Sequence, residues 1–133
     1  MIASSSLQAS TLVALGGATG AVLRFHLGRL VSAFAGPNAA FPWGTFTINV
    51  AGSLAMGLLA GWLARHVNGG EAWRLLLAVG VLGGFTTFSS FSLETAMLFE
   101  RGLVGLAAFY AAASVIAGVG GLFLGLAAVR ATA

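Results

Sequence analysis

The chain has 133 residues, 59% hydrophobic and 7% charged, with a formal net charge of +3. Average globular domains carry about 25% charged residues, and a soluble fold of this length could not hide so much apolar surface, so the composition describes a protein with little mass outside a bilayer. The absence of cysteine excludes a disulfide framework and thiolate metal sites, the absence of aspartate excludes a Ser-His-Asp triad, and a net charge this small leaves no basic patch for nucleic acid.

In chain order, the first predicted span covers residues 7–34. The start lacks the basic region of a signal peptide and is read as leading into a retained span. Gly16-Gly17, Gly20 and Gly28 give it a small-residue face for close helix packing. Arg24, His26 and Arg29 fall in its second half. Arg29 can snorkel to an interface. Arg24 is deeper, and a charge at the bilayer centre costs at least ~2.5 kcal/mol. Arg24 is therefore expected to face protein, water or headgroups as an orientation and packing residue.

Gly36-Pro37-Asn38 breaks that span, and Pro42 opens the second, residues 43–64. Trp43 and Trp62 bracket it like interfacial anchors. Its odd residue is Asn49. A carboxamide within a membrane must be hydrogen-bonded, so Asn49 is either interhelical glue or an NH2 donor to a passing anion. A short polar connection from Arg65 to Arg74 follows, in which His66 is expected to be solvated.

The third span, residues 74–98, carries the sequence's most informative stretch, Gly83-Gly84-Phe85-Thr86-Thr87-Phe88-Ser89-Ser90-Phe91-Ser92-Leu93-Glu94. Each glycine in a helix interior costs roughly 1 kcal/mol relative to alanine, so the pair is expected to break the helix. Phe85, Phe88 and Phe91 recur at every third position as an aromatic stripe, with hydroxyls between the rings. Irregular backbone at membrane depth survives only when buried in protein or lining a cavity. Glu94 is read as an interfacial or capping carboxylate. After a tight turn at Phe99-Glu100-Arg101-Gly102, the fourth span covers residues 103–129. Tyr110, Ser114 and Gly118 share one of its faces, although Tyr110 as a space-filler and Ser114 bonded back to a carbonyl one turn earlier explain the same spacing.

The predicted fold is an all-α membrane protein, one domain of four transmembrane helices with the third broken mid-membrane. One side of the membrane holds Arg65, Arg74 and Arg130, the other Arg29 and Arg101. So even a distribution gives almost no bias under the positive-inside rule. Opposite insertion of two copies, paired about a two-fold axis in the membrane plane, follows as an expectation. Asn NH2, Ser/Thr OH, Tyr OH and the electropositive edges of Phe rings suit an anion.

Gly16-Gly17-Ala18-Thr19-Gly20-Ala21-Val22-Leu23-Arg24-Phe25, Gly44-Thr45-Phe46-Thr47-Ile48-Asn49-Val50-Ala51-Gly52-Ser53 and the Gly83–Glu94 stretch resemble the span signatures of the Fluc (CrcB) fluoride channels. Tyr110 and Ser114 fit the fourth. The resemblance covers essentially the whole chain. It implies a non-enzymatic, fluoride-selective channel working passively in a prokaryotic inner membrane, as an antiparallel dual-topology homodimer with two pores. By the same resemblance, Asn49, Phe88, Phe91, Thr45, Ser89, Ser90, Tyr110 and Ser114 form or neighbour the fluoride pathway. A structural Na+ is held at the dimer interface by the backbone carbonyls of Gly83 and Thr86. Gly118 stands where some members extend the hydroxyl track. The alternatives are a small multidrug or guanidinium-type exporter, whose pattern needs a glutamate in the first span that is absent here, and a non-transporting assembly subunit.

Overall fold

A long uncharged run in a bilayer finds no backbone partners except its own, and a helix supplies them all. The computed structural model, which describes residues 5–66 and 70–132, is helical along each such run. Helix α1 (Ser6–Ala35) and helix α2 (Trp43–Arg65) are followed by a third run in pieces. These are α3 (Gly70–Trp73), a π-helical stretch (Arg74–Leu82), α4 (Gly83–Phe85) and α5 (Phe88–Glu100). Helix α6 (Val104–Ala131) completes the chain. Ser6–Ala35, Trp43–Arg65, Gly70–Glu100 and Val104–Ala131 are long and apolar enough to cross a membrane. No strand occurs among the described residues.

The helix ends follow from local chemistry. Ser5 and Gln8 form a reciprocal capping box on α1. Gly36 (φ 87°) and Gly102 (φ 77°) take the left-handed backbone that ends α1 and joins α5 to α6. The α6 carboxyl end is tied down by Arg65, whose guanidinium donates to the Val129 carbonyl, and by the Thr132 hydroxyl on the same oxygen at 2.9 Å.

The glycine pair does not break the third run, contrary to the sequence-based expectation. Gly83 is helical (φ −64°, ψ −38°), and Gly83–Phe85 is a helical turn. The chain leaves the helix at Thr86 (φ −81°, ψ 158°) and Thr87 (φ −150°, ψ 115°). Close approach explains Gly84. A methyl there would overlap the Gly17 carbonyl oxygen of α1. The aromatic stripe is divided as well. Phe85 lies before the interruption, against the face of Gly52, while Phe88 and Phe91 lie beyond it.

α1 packs chiefly on the π-helical stretch, and α2 on α6. Both pairs meet backbone to backbone. A Cβ on Gly20 would overlap the Val81 carbonyl, and one on Gly57 the Leu122 carbonyl. Such contacts suit a bilayer, where dispersion rather than the hydrophobic effect holds helices together. Gly57 meets Leu122 while Gly61 meets Val129, so α2 and α6 run in the same direction. Buried side chains gather at one end, where Leu98, Ala107 and Tyr110 pack with Phe41, Phe46 and Phe91.

Candidate functional site

The interruption at Thr86–Thr87 creates two helix ends inside one apolar run. The Thr87 N–H, which in a continuous helix would close on the Gly83 carbonyl, donates instead to Asn49 Oδ1 at 2.8 Å. Asn49 Nδ2 in turn donates to the Thr87 carbonyl at 3.0 Å. One carboxamide on α2 thus replaces the main-chain acceptor that the Thr87 N–H loses at the break, and adds a second donor to the Thr87 carbonyl, which as the α5 N-cap also accepts the first bond of that helix. Asn49 is therefore interhelical glue, and its amide keeps a second N–H for another acceptor.

Thr87, only 8% exposed, caps α5. Its Oγ1 accepts from the Ser90 N–H at 3.2 Å and donates to Ser90 Oγ at 3.1 Å, with Ser89 Oγ at 3.3 Å. The local pattern explains the cap, since a threonine before a helical run is a favoured N-cap. Ser89 and Ser90 thus meet at the start of α5, through a residue that sequence reasoning did not assign to the pathway. On the other side of the break, Arg24 Nη1 reaches the Thr86 carbonyl at 3.4 Å, and the Thr86 hydroxyl returns to the Leu82 carbonyl at 2.9 Å.

A second polar knot lies further along α5. Thr45 on α2 donates to Glu94 Oε1 at 2.7 Å. Tyr110 on α6 donates to Glu94 Oε2, also at 2.7 Å. The carboxylate is shared by two neighbouring helices and caps neither end of α5. Tyr110 is 0% exposed because Phe41 and Phe91 pack on its ring, with centroids 5.3 and 5.2 Å away. Its hydroxyl has a specific partner, so it is more than a space-filler. Nothing local marks Glu94, since its partners lie 49 and 16 residues away.

Beside the Asn49–Thr87 knot lies an open cavity of about 320 Å³, whose lining includes Asn49, Ser53, Thr87, Phe88, Phe91 and Ser114 and runs on to Met56 and Leu122. The Phe88 and Phe91 rings are 5.6 Å apart, and Phe88 is 79% exposed on the single chain. Ser114 Oγ is shut off from solvent and has no hydrogen-bond partner among the described residues. It does not bond back to the preceding turn. The structure therefore brings Asn49, Phe88, Phe91 and Ser114 to one cavity. Thr45 and Tyr110 meet at Glu94, outside its lining, and Ser89 and Ser90 meet at the α5 cap. Thr86, at the carbonyl end of α4, also lines the cavity, and Gly83 stands one turn earlier outside its lining. His66 stacks on Trp62 with ring centroids 4.6 Å apart, and its Nδ1 lies 2.9 Å from the Trp62 carbonyl, away from this region.

The architecture is that of a small multi-pass membrane protein whose interrupted third helix gathers hydroxyls, a carboxamide and phenylalanine rings. A family model described as CrcB-like protein, Camphor Resistance (CrcB), matches residues 11–126, and the chain belongs to that family. It is 69% identical over 127 residues to the fluoride-specific ion channel FluC of Novosphingobium aromaticivorans, covering 96% of this chain and 100% of the relative. It is 53% identical over 116 residues to the protein of the same name from Agrobacterium fabrum (87% and 91% covered). The corresponding figure for Rhodospirillum centenum is 54% over 118 residues (89% and 92% covered).

Proposed function

We propose that this chain is a passive, fluoride-selective channel of a prokaryotic inner membrane, formed by two copies inserted in opposite orientations, with two pores per dimer. The observation that carries this reading is the amino end of α5 opening beside the cavity. A helix amino terminus attracts anions through its free N–H groups and its dipole. Here it stands next to Asn49, the unpartnered Ser114 hydroxyl and the exposed Phe88 ring. Phe edges present partial positive charge and Asn49 has an N–H to spare, so a small anion that sheds water finds donors on several sides. The relatives' shared name, fluoride-specific ion channel, supplies the ion. The exporter alternative finds no support, because α1 contains no acidic residue.

In this reading the interruption lies near mid-membrane and the exposed Phe88 reaches toward the partner copy. Fluoride passes between Phe88 and Phe91, takes hydrogen bonds from Asn49 and Ser114, and meets the Thr45 and Tyr110 donors. Those donors already hold an anion of their own, the Glu94 carboxylate. Passage beyond the cavity therefore needs the carboxylate to yield its donors in turn, which restricts the path to an ion small enough to share them.

The same break suits a structural Na+. Hard cations take oxygen ligands, and the Gly83 carbonyl has lost the Thr87 N–H to Asn49. Among the described residues, the Thr86 carbonyl has only the long contact from Arg24, at 3.4 Å. Both carbonyls fit a cation shared between two copies, which would supply fixed positive charge and cross-link the dimer.

The test is fluoride efflux from liposomes containing the purified protein, with chloride in parallel. Fast fluoride release with little chloride release is expected. Phe88→Ile should suppress release while the dimer persists, since the exposed ring contributes little to packing within one chain. Absence of fluoride release from a folded wild-type dimer in sodium-containing buffer would overturn the assignment.

A further inference from the structure

The parallel helices α2 and α6 form a ladder of polar positions. Thr45, Asn49 and Ser53 recur at i, i+4 and i+8 on α2, and Tyr110, Ser114 and Gly118 do so on α6. The first rung is Thr45 and Tyr110, which share Glu94. In the second, Asn49 and Ser114 line one cavity. At the third, a Cβ placed on Gly118 would lie 3.5 Å from Ser53 Oγ and, among the described residues, within 4 Å of nothing else. Both helices supply a polar group at the first two rungs, and only α2 does at the third.

Ser53 is not committed elsewhere. Ser10, Thr11, Thr19, Ser92 and Thr95 all return their hydroxyls to the carbonyl four residues earlier. Ser53 makes no such bond among the described residues, and it lines the same cavity as Asn49, Ser114 and Phe88. Because Gly118 has no side chain, the space in front of the hydroxyl stays open. Beyond it the lining turns apolar with Met56 and Leu122, so Ser53 is the last hydroxyl on this side of the cavity.

We propose that Ser53 is an anion-binding residue of the pathway, donating its hydroxyl to the ion at the rung where α6 contributes only Gly118. The proposal rests on the fluoride-channel reading and extends it to a position on the second helix. The hydroxyl has a free donor, a neighbouring unpartnered hydroxyl at Ser114, and room for an ion made by the missing side chain opposite.

The experiment is fluoride efflux from liposomes for the wild type, Ser53→Ala, and Ser53→Ala combined with Gly118→Ser, each first checked as a dimer by size-exclusion chromatography. Losing a hydrogen bond to a charged ligand is expected to slow efflux roughly tenfold or more in Ser53→Ala. Gly118→Ser restores a hydroxyl to the same space from the facing helix and should recover most of the rate, which a packing role for Ser53 would not produce. The near-isosteric pair Ser53→Thr and Ser53→Val separates hydroxyl from bulk, with flux kept in the first and lost in the second. Wild-type-like efflux from Ser53→Ala or Ser53→Val, or a double variant as slow as Ser53→Ala, would overturn the role of Ser53 while leaving the channel intact. No wild-type efflux would overturn both.

Discussion

Replacing Asn49 by leucine keeps most of the side-chain volume and removes both bonds to Thr87. The Thr87 N–H, 2.8 Å from the amide, would then lose its partner where the third run has no helix bond to offer, and the Thr87 carbonyl would lose its second donor at 3.0 Å. Interhelical hydrogen bonds in membranes are worth roughly 0.6 kcal/mol on average and about 1.7 at most, so two of them give about 1–3 kcal/mol. The loss can be read as a shift in equilibrium unfolding in mixed dodecylmaltoside and SDS micelles, followed by far-ultraviolet circular dichroism. Ser92→Ala is the control, because that hydroxyl only returns to the Phe88 carbonyl at 2.9 Å. Asn49→Leu should be destabilised by this amount and lose fluoride efflux, with Ser92→Ala close to wild type. An Asn49→Leu protein as stable as the control would refute the amide as the strut that holds the break.

Tyr110→Phe removes the donor on Glu94 Oε2 and leaves Thr45 as its one side-chain partner among the described residues. Fluoride efflux should fall about tenfold or more, while efflux at the wild-type rate would detach the carboxylate from the path. Gly57→Ala places a methyl on the Leu122 carbonyl and should cost about 1–3 kcal/mol by overpacking. Gly105→Ala, with open space around it, should not destabilise the protein, since alanine is also the better helix former. Thr87→Ala loses the α5 cap at about 1 kcal/mol, and Thr87→Ser should retain most of it. Equal stability of the two Thr87 variants would count against the cap.

Four helices were legible because their signal is local. Apolar runs of membrane length, bounded by Gly36-Pro37-Asn38 and by Arg101-Gly102, leave the backbone no other solution. The interruption was legible as to span but not as to position. A glycine pair weakens a helix by propensity alone, yet Gly84 is held helical because α1 approaches it at Gly17, a contact 67 positions away in the chain. The break falls two residues later, where Asn49 offers Thr87 an alternative to the helix ladder from 38 residues away. The partners of Glu94 were illegible for the same reason. A lone carboxylate near the end of a span gives no sign that Thr45 and Tyr110 fold against it. The Phe88, Asn49 and Ser114 convergence was approachable through the family signature. Ser53 was not, because its significance depends on which residue of α6 stands opposite and on that residue having no side chain.

The glycine contacts bear on the timescale of turnover. Where α1 meets the third run at Gly16, Gly20 and Gly84, and α2 meets α6 at Gly57 and Gly125, a carbonyl oxygen already occupies the space a methyl would need. Helices seated backbone on backbone have little slack for the rocking motions of alternating-access transporters, which take microseconds to milliseconds. The freely adjustable parts here are side chains, the exposed Phe88 among them, and exposed rotamers change in picoseconds to nanoseconds. In the channel proposed above, ion throughput would have no ceiling set by a rocking cycle of these helices. Its rate would follow how quickly one small ion trades water for a hydroxyl and one hydroxyl for the next.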